Sequence, residues 1–533
     1  MRIKLIFTTV VAVTLATLAS TPASALYEQV NRNVNWYDRS ELGVGIIYKT
    51  TSSGNGFSNA PCDNGWTDCD PIKGDAVTIS NALADCATVA AGTPCLENAW
   101  IREVGTTNWI EGLNNGPLVD QPTYAFAAKP TRQVGASNPS NRFTFPGVNH
   151  GAGDSFAINP VLTSTISAYG SVALGTKLTI MASAVTLDAS AGVGACYIAY
   201  GNMGTCYKDV ANPPAYEYKI AVRLQSTPKG WITGRIASPD YSVEEGLSGG
   251  APVRFTIAGA PVQTPGVERN YWYNDLADRA AWDALNSVWN VPWDFPGLGI
   301  VSAGPQVGPT HLREFMDAVA IDHSFDTADE MHWVLRADVE FAPAMMYSCQ
   351  ADKLVGLIAS NSMTYASEFP TLSSSTLTLD YKVASPHFTP ANSVFSGIYE
   401  MRLDAAYAQC IWSSALNGAS LSFVPGDSTV SVLAADGTTK TAVTNVSLNN
   451  GIIAFTASGF TFSQNTIKAR LGNPKKKTIT CLKATKSKSV TAYVPKCPSG
   501  YKIAKKIVCI KGSRTKTVLA ISPKCPAGWR KKA

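Results

Sequence analysis

The C-terminal segment from Lys475 to Ala533 repeats itself. Cys481 aligns with Cys509, Cys497 with Cys525 and Tyr501 with Trp529, and Pro495-Lys496-Cys497-Pro498 aligns with Pro523-Lys524-Cys525-Pro526. The segment carries 17 Lys and Arg and no Asp or Glu. They are Lys475, Lys476, Lys477, Lys483, Lys486, Lys488, Lys496, Lys502, Lys505, Lys506, Lys511, Arg514, Lys516, Lys524, Arg530, Lys531 and Lys532. A segment of one sign at this density reads as a polyanion-binding element. Alternation around the first Cys of each unit, and again before Pro-Lys-Cys-Pro, predicts a β-hairpin closed by a disulfide, with lysines displayed on both faces. A hairpin that small has almost no core of its own. Closing a loop of about 15 residues supplies on the order of 3 kcal/mol in the chain-entropy model.

Charge divides between this tail and the rest of the chain. Of the 44 basic residues in the 533-residue sequence, 17 are in the tail and 2 in the first 25 residues, which leaves 25 in the body against all 39 acids. The net value of +5 therefore conceals a body near −14 and a tail near +17. Residues 1–25 read as a secretory signal: Arg2 and Lys4, an apolar run from Leu5 to Leu18, then Ala23-Ser24-Ala25 as a cleavage site. That run is too short for a membrane span and no comparable one follows, so the expectation is an exported protein, extracellular or wall-associated, with no transmembrane segment after signal removal.

Twelve cysteines in an exported chain read as structural disulfides. Proximity pairs Cys62 with Cys69, Cys86 with Cys95, Cys196 with Cys206, Cys349 with Cys410, Cys481 with Cys497, and Cys509 with Cys525. No Cys-x-x-Cys occurs, which argues against a zinc ribbon or a thioredoxin-type redox site.

The body reads as mainly β. Residues 26–265 contain short β-branched or aromatic runs between Gly, Ser, Thr, Asn and Pro signals, including Gly43–Tyr48, Asp75–Ser80, Ala99–Glu103, Lys177–Ala182, Tyr216–Leu224, Trp231–Ser238 and Val253–Ile257. Residues 266–308 form a Trp-rich connector in which Asn274 caps a helix and Trp282, Leu285 and Trp289 share one face. Residues 309–473 read as a second β-rich domain, immunoglobulin-like at its end, with a short helix over Pro309–Val319 and turns at Asp436-Gly437 and Asn449-Asn450-Gly451. The expected architecture is two β-sandwich-like domains, jelly-roll or immunoglobulin-like, with minor helix, followed by the two small disulfide-closed hairpins of residues 474–533.

The Cys, Lys-rich, Pro-Lys-Cys-Pro-x-Gly-Tyr pattern resembles the C-terminal tail of uncharacterised exported proteins of actinobacteria. Gly459-Phe460-Thr461-Phe462-Ser463 with Thr466-Ile467-Lys468, Val383-Ala384-Ser385-Pro386-His387 and Ala408-Gln409-Cys410-Ile411-Trp412 look like pieces of the same module. The likeness covers roughly residues 310–533. It implies export and carries over no catalytic residue. The first unit has Ala484 where such tails often have Gly, which bears on its turn geometry.

Catalytic signals are weak by comparison. Gly246-Leu247-Ser248-Gly249-Gly250 satisfies the nucleophile-elbow pattern, but a strand rather than a helix follows it, and the one upstream His of the mature chain, His150, lacks protease-like surroundings. A Gly-rich hairpin loop is the better reading. His150, His311, His323, His332 and His387 form no metal-binding spacing. The acidic stretch Asp322–Glu330 and the group Asp63, Asp68 and Asp70 match no calcium loop. Asp240 with Glu244 or Glu245 is one of many carboxylate pairs open to a glycosidase role. No cofactor is implied. The sequence thus favours a non-catalytic envelope protein held by its tail on anionic wall or matrix polymer. The alternative is a secreted carbohydrate-binding protein or glycan hydrolase using the β-domains and nearby Trp. Nucleic acid, with Tyr493, Tyr501 and Trp529 as stacking residues, ranks third as a partner.

Overall fold

A computed structural model describes residues 31–36, 46–53, 56–62, 76–118, 126–129, 134–138, 140–166, 173–188, 206–264, 267–272, 275–277, 279–280, 300–302, 331–338, 349, 353–365, 370–373, 376–389, 391–416, 427–472, 477–484 and 486–532. The expected signal peptide, the helix over Pro309–Val319, the acidic stretch Asp322–Glu330, Asp63, Asp68 and Asp70, and Asn274, Trp282, Leu285 and Trp289 of the connector lie outside them. So do Lys475 and Lys476.

The chain is mainly β, as its alternation predicts. Tyr216–Leu224 begins and ends where the sequence places it, and most other strands extend the expected runs by a few residues. One large sheet of 14 strands forms the spine. Its main path runs Val443–Asn449, Ile452–Thr461, Ser396–Asp404, Leu354–Ser360, Lys229–Arg235, Val334–Asp338, Ala173–Asp188, Ser155–Ile166, Ala76–Ala82, Ile46–Ser53 and Gly56–Pro61. Two five-stranded sheets pack on it. The first is ordered Ala237–Glu244, Val253–Ala260, Tyr216–Leu224, Cys95–Glu103, Ile110–Glu111. The second is ordered Thr364–Tyr365, Thr378–Ala384, Gln464–Arg470, Thr429–Ala434, with Thr371–Ser373 paired beside Thr378–Ala384.

Each small sheet closes a core against the spine. Phe156, Ile180, Tyr218, Phe255 and Trp333 mark the first core; Tyr381, Tyr399, Trp412, Phe455 and Ile467 mark the second. The central strands serve both. Ile232 and Leu357 belong to the first core, whereas their neighbours Trp231 and Ile358 belong to the second. Successive side chains in a strand point to opposite faces, so the two small sheets lie on opposite faces of the spine. Lys229–Arg235 and Leu354–Ser360 run parallel, and Leu354–Ser360 is an almost unbroken apolar run, as a strand buried on both faces requires. The sequence division at residues 266–308 falls between strands that this spine joins: Val334–Asp338 pairs with both Ala173–Asp188 and Lys229–Arg235.

Local chemistry explains several elements. Asn450 (φ 48°) and Gly451 (φ 78°) form the expected two-residue turn between Val443–Asn449 and Ile452–Thr461, where both central residues need positive φ. Asp436-Gly437 also turns the chain, but the strands flanking it join different sheets: Thr429–Ala434 pairs with Gln464–Arg470, and Val443–Asn449 with Ile452–Thr461. Near residue 275 the backbone amide of Ala277 donates to the Asp275 carboxylate at 2.8 Å, so Asp275 supplies a capping contact in the connector. The helix Ala405–Ala415 is an element the strand rhythm does not predict. Asp404 caps it by accepting from the Tyr407 amide at 2.7 Å, and the buried Trp412 donates from Nε1 to the Leu377 carbonyl at 3.1 Å.

The disulfides Cys86–Cys95, Cys349–Cys410, Cys481–Cys497 and Cys509–Cys525 form as proximity predicts. Cys62 is also disulfide-bonded, while Cys69 and Cys196 lie outside the described residues. Among the described residues no helix is long and apolar enough to cross a membrane.

Candidate functional site

The tail folds as two copies of one unit. The first consists of Lys477–Lys483, Lys486–Ala492 and Lys502–Ile503, and the second of Lys505–Lys511, Arg514–Ala520 and Arg530–Lys531, each a three-stranded antiparallel sheet rather than a bare hairpin. The registers coincide: Cys481 lies opposite Lys488 and Ile503, and Cys509 opposite Lys516 and Lys531. A turn precedes each third strand. The Tyr501 amide donates to Pro498 O and the Trp529 amide to Pro526 O, both at 2.9 Å, with Gly500 and Gly528 at φ 78°. Positive φ at the third turn residue is what a type II turn demands, which explains Gly in Pro-x-Gly. A single residue, Ala504, separates the two sheets.

Ala484 begins the first hairpin turn at φ 51°, the conformation that Gly512 takes at φ 58° in the second. The turn geometry is therefore kept, at a cost of about 1–2 kcal/mol for an L side chain in the left-handed region. Ala484→Gly is expected to stabilise the first unit by about 1 kcal/mol. Slower hydrogen exchange across Lys477–Ala492, with the second unit unchanged, is the readout.

Pleating sorts the tail residues by face. Lys477, Ile479, Cys481 and Lys483 share one face of the first unit with their partners Ala492, Val490, Lys488 and Lys486. The opposite face carries Thr478, Thr480, Leu482, Ser487, Ser489 and Thr491. The strand cations of the first hairpin all fall on the disulfide-bearing face, whereas Lys506 of the second hairpin and Lys502 and Arg530 of the third strands fall on the opposite one, so across the two units both faces carry cations, as expected. The described tail cations are all exposed, and among the described residues none is ion-paired with the body.

The tail meets the body through an aromatic contact. Tyr493 packs against the second core. It also overhangs Thr378, Thr429, Ser431, Lys468 and Arg470, closing a cleft of about 300 Å³ on the outer face of the second small sheet. Lys468 is paired with Asp380 at 2.5 Å, and Arg470 lies between Thr378 and Thr429 in the ladder with its buried Nε lacking an acceptor. The junction thus presents Arg470 and the Lys468–Asp380 pair to the tail.

No known protein family matches the chain, and no curated protein matches it.

The catalytic candidates do not assemble. Gly246–Gly250 lies in the turn between Ala237–Glu244 and Val253–Ala260, closed by the Leu247 amide donating to Pro252 O at 3.0 Å. His150 serves a different place: its Nε2 meets the Ser155 carbonyl at 3.0 Å and its ring sits edge-on to Phe156. Asp240 and Glu244 are four residues apart on one strand, about 14 Å along it, beyond the separation a glycosidase pair needs. Asp240 lies 3.6 Å from Arg402, and Glu244 pairs with Arg254 at 3.2 Å. The clearest Trp pair, Trp100 and Trp109, already has its faces taken. The Lys219 ammonium lies 4.4 and 4.7 Å from the two rings, and the Arg102 guanidinium 4.3 Å from Trp109. Burial and the neighbouring Arg102 lower the Lys219 pKa. A sugar ring would have to displace these cations before stacking.

Burial also lowers the His150 pKa from 6.5, against opposing contributions from the Ser155 carbonyl and Asp154. The folded state then binds fewer protons than the unfolded one, so stability is full above pH 6.5 and is lost as pH falls through the depressed folded value. The urea midpoint should drop between about pH 7.5 and 5.5, and His150→Gln should flatten that dependence.

Proposed function

We propose that the protein is an exported, non-catalytic envelope protein whose β-rich body is held outside the cell by its basic tail on anionic wall or matrix polymer. The observation that carries this reading is the tandem of disulfide-stapled sheets, with 17 cations and no acid across residues 475–533. A disulfide-stapled sheet holds lysines in fixed positions, and fixed lysines attract a polyanion by counterion release, with steep salt dependence and little sequence specificity. Disulfides belong to oxidising compartments, which accords with export. The likeness of the tail to those of exported actinobacterial proteins points the same way.

The test is fractionation of the native host into medium, salt-washed surface and stripped cells, comparing the full chain with one truncated after Asn473. Salt-released surface protein for the full chain and free protein for the truncation is the expected pair of results. Equal release of both into the medium would overturn retention by the tail.

A further inference from the structure

Aligning the units at their cysteines shows which features recur. Eight face positions are chemically the same in both: Lys477 and Lys505, Ile479 and Ile507, Cys481 and Cys509, Lys483 and Lys511, Lys486 and Arg514, Lys488 and Lys516, Val490 and Val518, Ala492 and Ala520. The opposite face drifts. Thr478 corresponds to Lys506, Thr480 to Val508 and Thr491 to Leu519.

Part of this recurrence is packing. Cys481 and Cys509 are fully buried, and their disulfides to Cys497 and Cys525 tie the Pro-Lys-Cys-Pro loop to the recurrent face, where Ile479, Val490, Ile507 and Val518 are half-buried. Packing does not account for the cations. The four recurrent cations of each unit are exposed, as are Lys496 and Lys524 on the Pro-Lys-Cys-Pro loops. Lys483 stands directly opposite Lys486, and Lys511 opposite Arg514. Like charges in that position destabilise a sheet, and no acid of the tail relieves them. Both units nevertheless carry the pair.

We infer that the disulfide-bearing face of each unit is the docking face for a linear, base-free polymer of phosphodiester-linked polyols, with Lys477, Lys483, Lys486, Lys488 and Lys496, and their counterparts in the second unit, as the phosphate ligands. The inference rests on the retention reading above. Charge complementarity makes the occupant a polyanion. The tail has 15 Lys to 2 Arg, so it offers mainly point charges, the form in which Lys binds phosphate, in place of the bidentate forks that Arg makes to carboxylate and phosphate alike. Nucleic acid is disfavoured because Tyr493, Tyr501 and Trp529 are all half-buried, and Tyr493 is engaged with the body, so bases have no free stacking platform.

Two full-length variants with equal charge loss test the face. One carries Lys486→Gln, Lys488→Gln and Lys516→Gln; the other carries Lys502→Gln, Lys506→Gln and Arg530→Gln from outside the recurrent face. Binding to synthetic poly(glycerol phosphate) is titrated between about 50 and 200 mM salt, with a polyuronate and oligothymidylate as competitors. The face variant is expected to lose about tenfold or more, with its salt slope reduced by about 2, and the other variant to lose under about threefold. Arginine at the three face positions should restore binding, separating lost charge from lost folding. Equal losses in the two variants would overturn the face assignment and leave tail retention standing. No binding by the unmodified chain would overturn retention itself, and better competition by polyuronate or oligothymidylate would overturn the phosphodiester polymer as occupant.

Discussion

Deleting residues 505–533 is expected to weaken retention on a polyanionic matrix by far more than the factor of two that losing half the sites would give. The two units repeat one register and are joined by a single residue, so once the first is seated the second searches a very small volume. Effective concentrations of that kind raise avidity by about 10²–10⁴ without any new contact. The deletion also removes 9 of the 17 tail charges, so the salt slope should fall in parallel. Column retention at several salt concentrations, for the full chain, the single-unit chain and the chain ending at Asn473, measures both. A loss of only twofold would mean that the units act as independent charges on a string.

A second large effect is expected at Gly356. A Cβ there would lie 2.5 Å from the Trp231 ring and 2.6 Å from the Arg402 carbonyl oxygen, with no room on either side. Gly356→Ala should cost about 3 kcal/mol by overpacking. Because Trp231 belongs to the second core and the adjoining Leu357 to the first, both sandwiches should weaken together. Hydrogen exchange would show it: amides of Tyr216–Leu224 and of Gln464–Arg470 should lose protection by similar factors. Loss confined to one of them would mean that the halves open separately despite the shared spine.

Much of this was legible in the chain. Period-two alternation located Tyr216–Leu224, Asn450-Gly451 set the register of its hairpin, and four of the six expected cysteine pairs are seen as spacing suggested. Sheet order was not legible. The parallel pairing of Lys229–Arg235 with Leu354–Ser360 joins segments far apart in sequence, and nothing local in either one names its partner. The helix Ala405–Ala415 escaped because it follows a strand with no break beyond Asp404, although Ala408 and Trp412 sit one helical turn apart on a buried face. The one-sided lysines could have been found by counting. Lys477 and Lys483 are odd, Lys486 and Lys488 even, and a two-residue turn puts opposite parities on the same face.

The point where the tail leaves the body has a mechanical consequence. The chain enters the tail from Gln464–Arg470, which is the inner strand of its sheet, bonded along its length to Thr378–Ala384 on one side and Thr429–Ala434 on the other. Drag on a tethered body would pull along this strand and load both ladders at once in shear, so that many bonds must fail together. An edge strand in the same role would peel open one bond at a time.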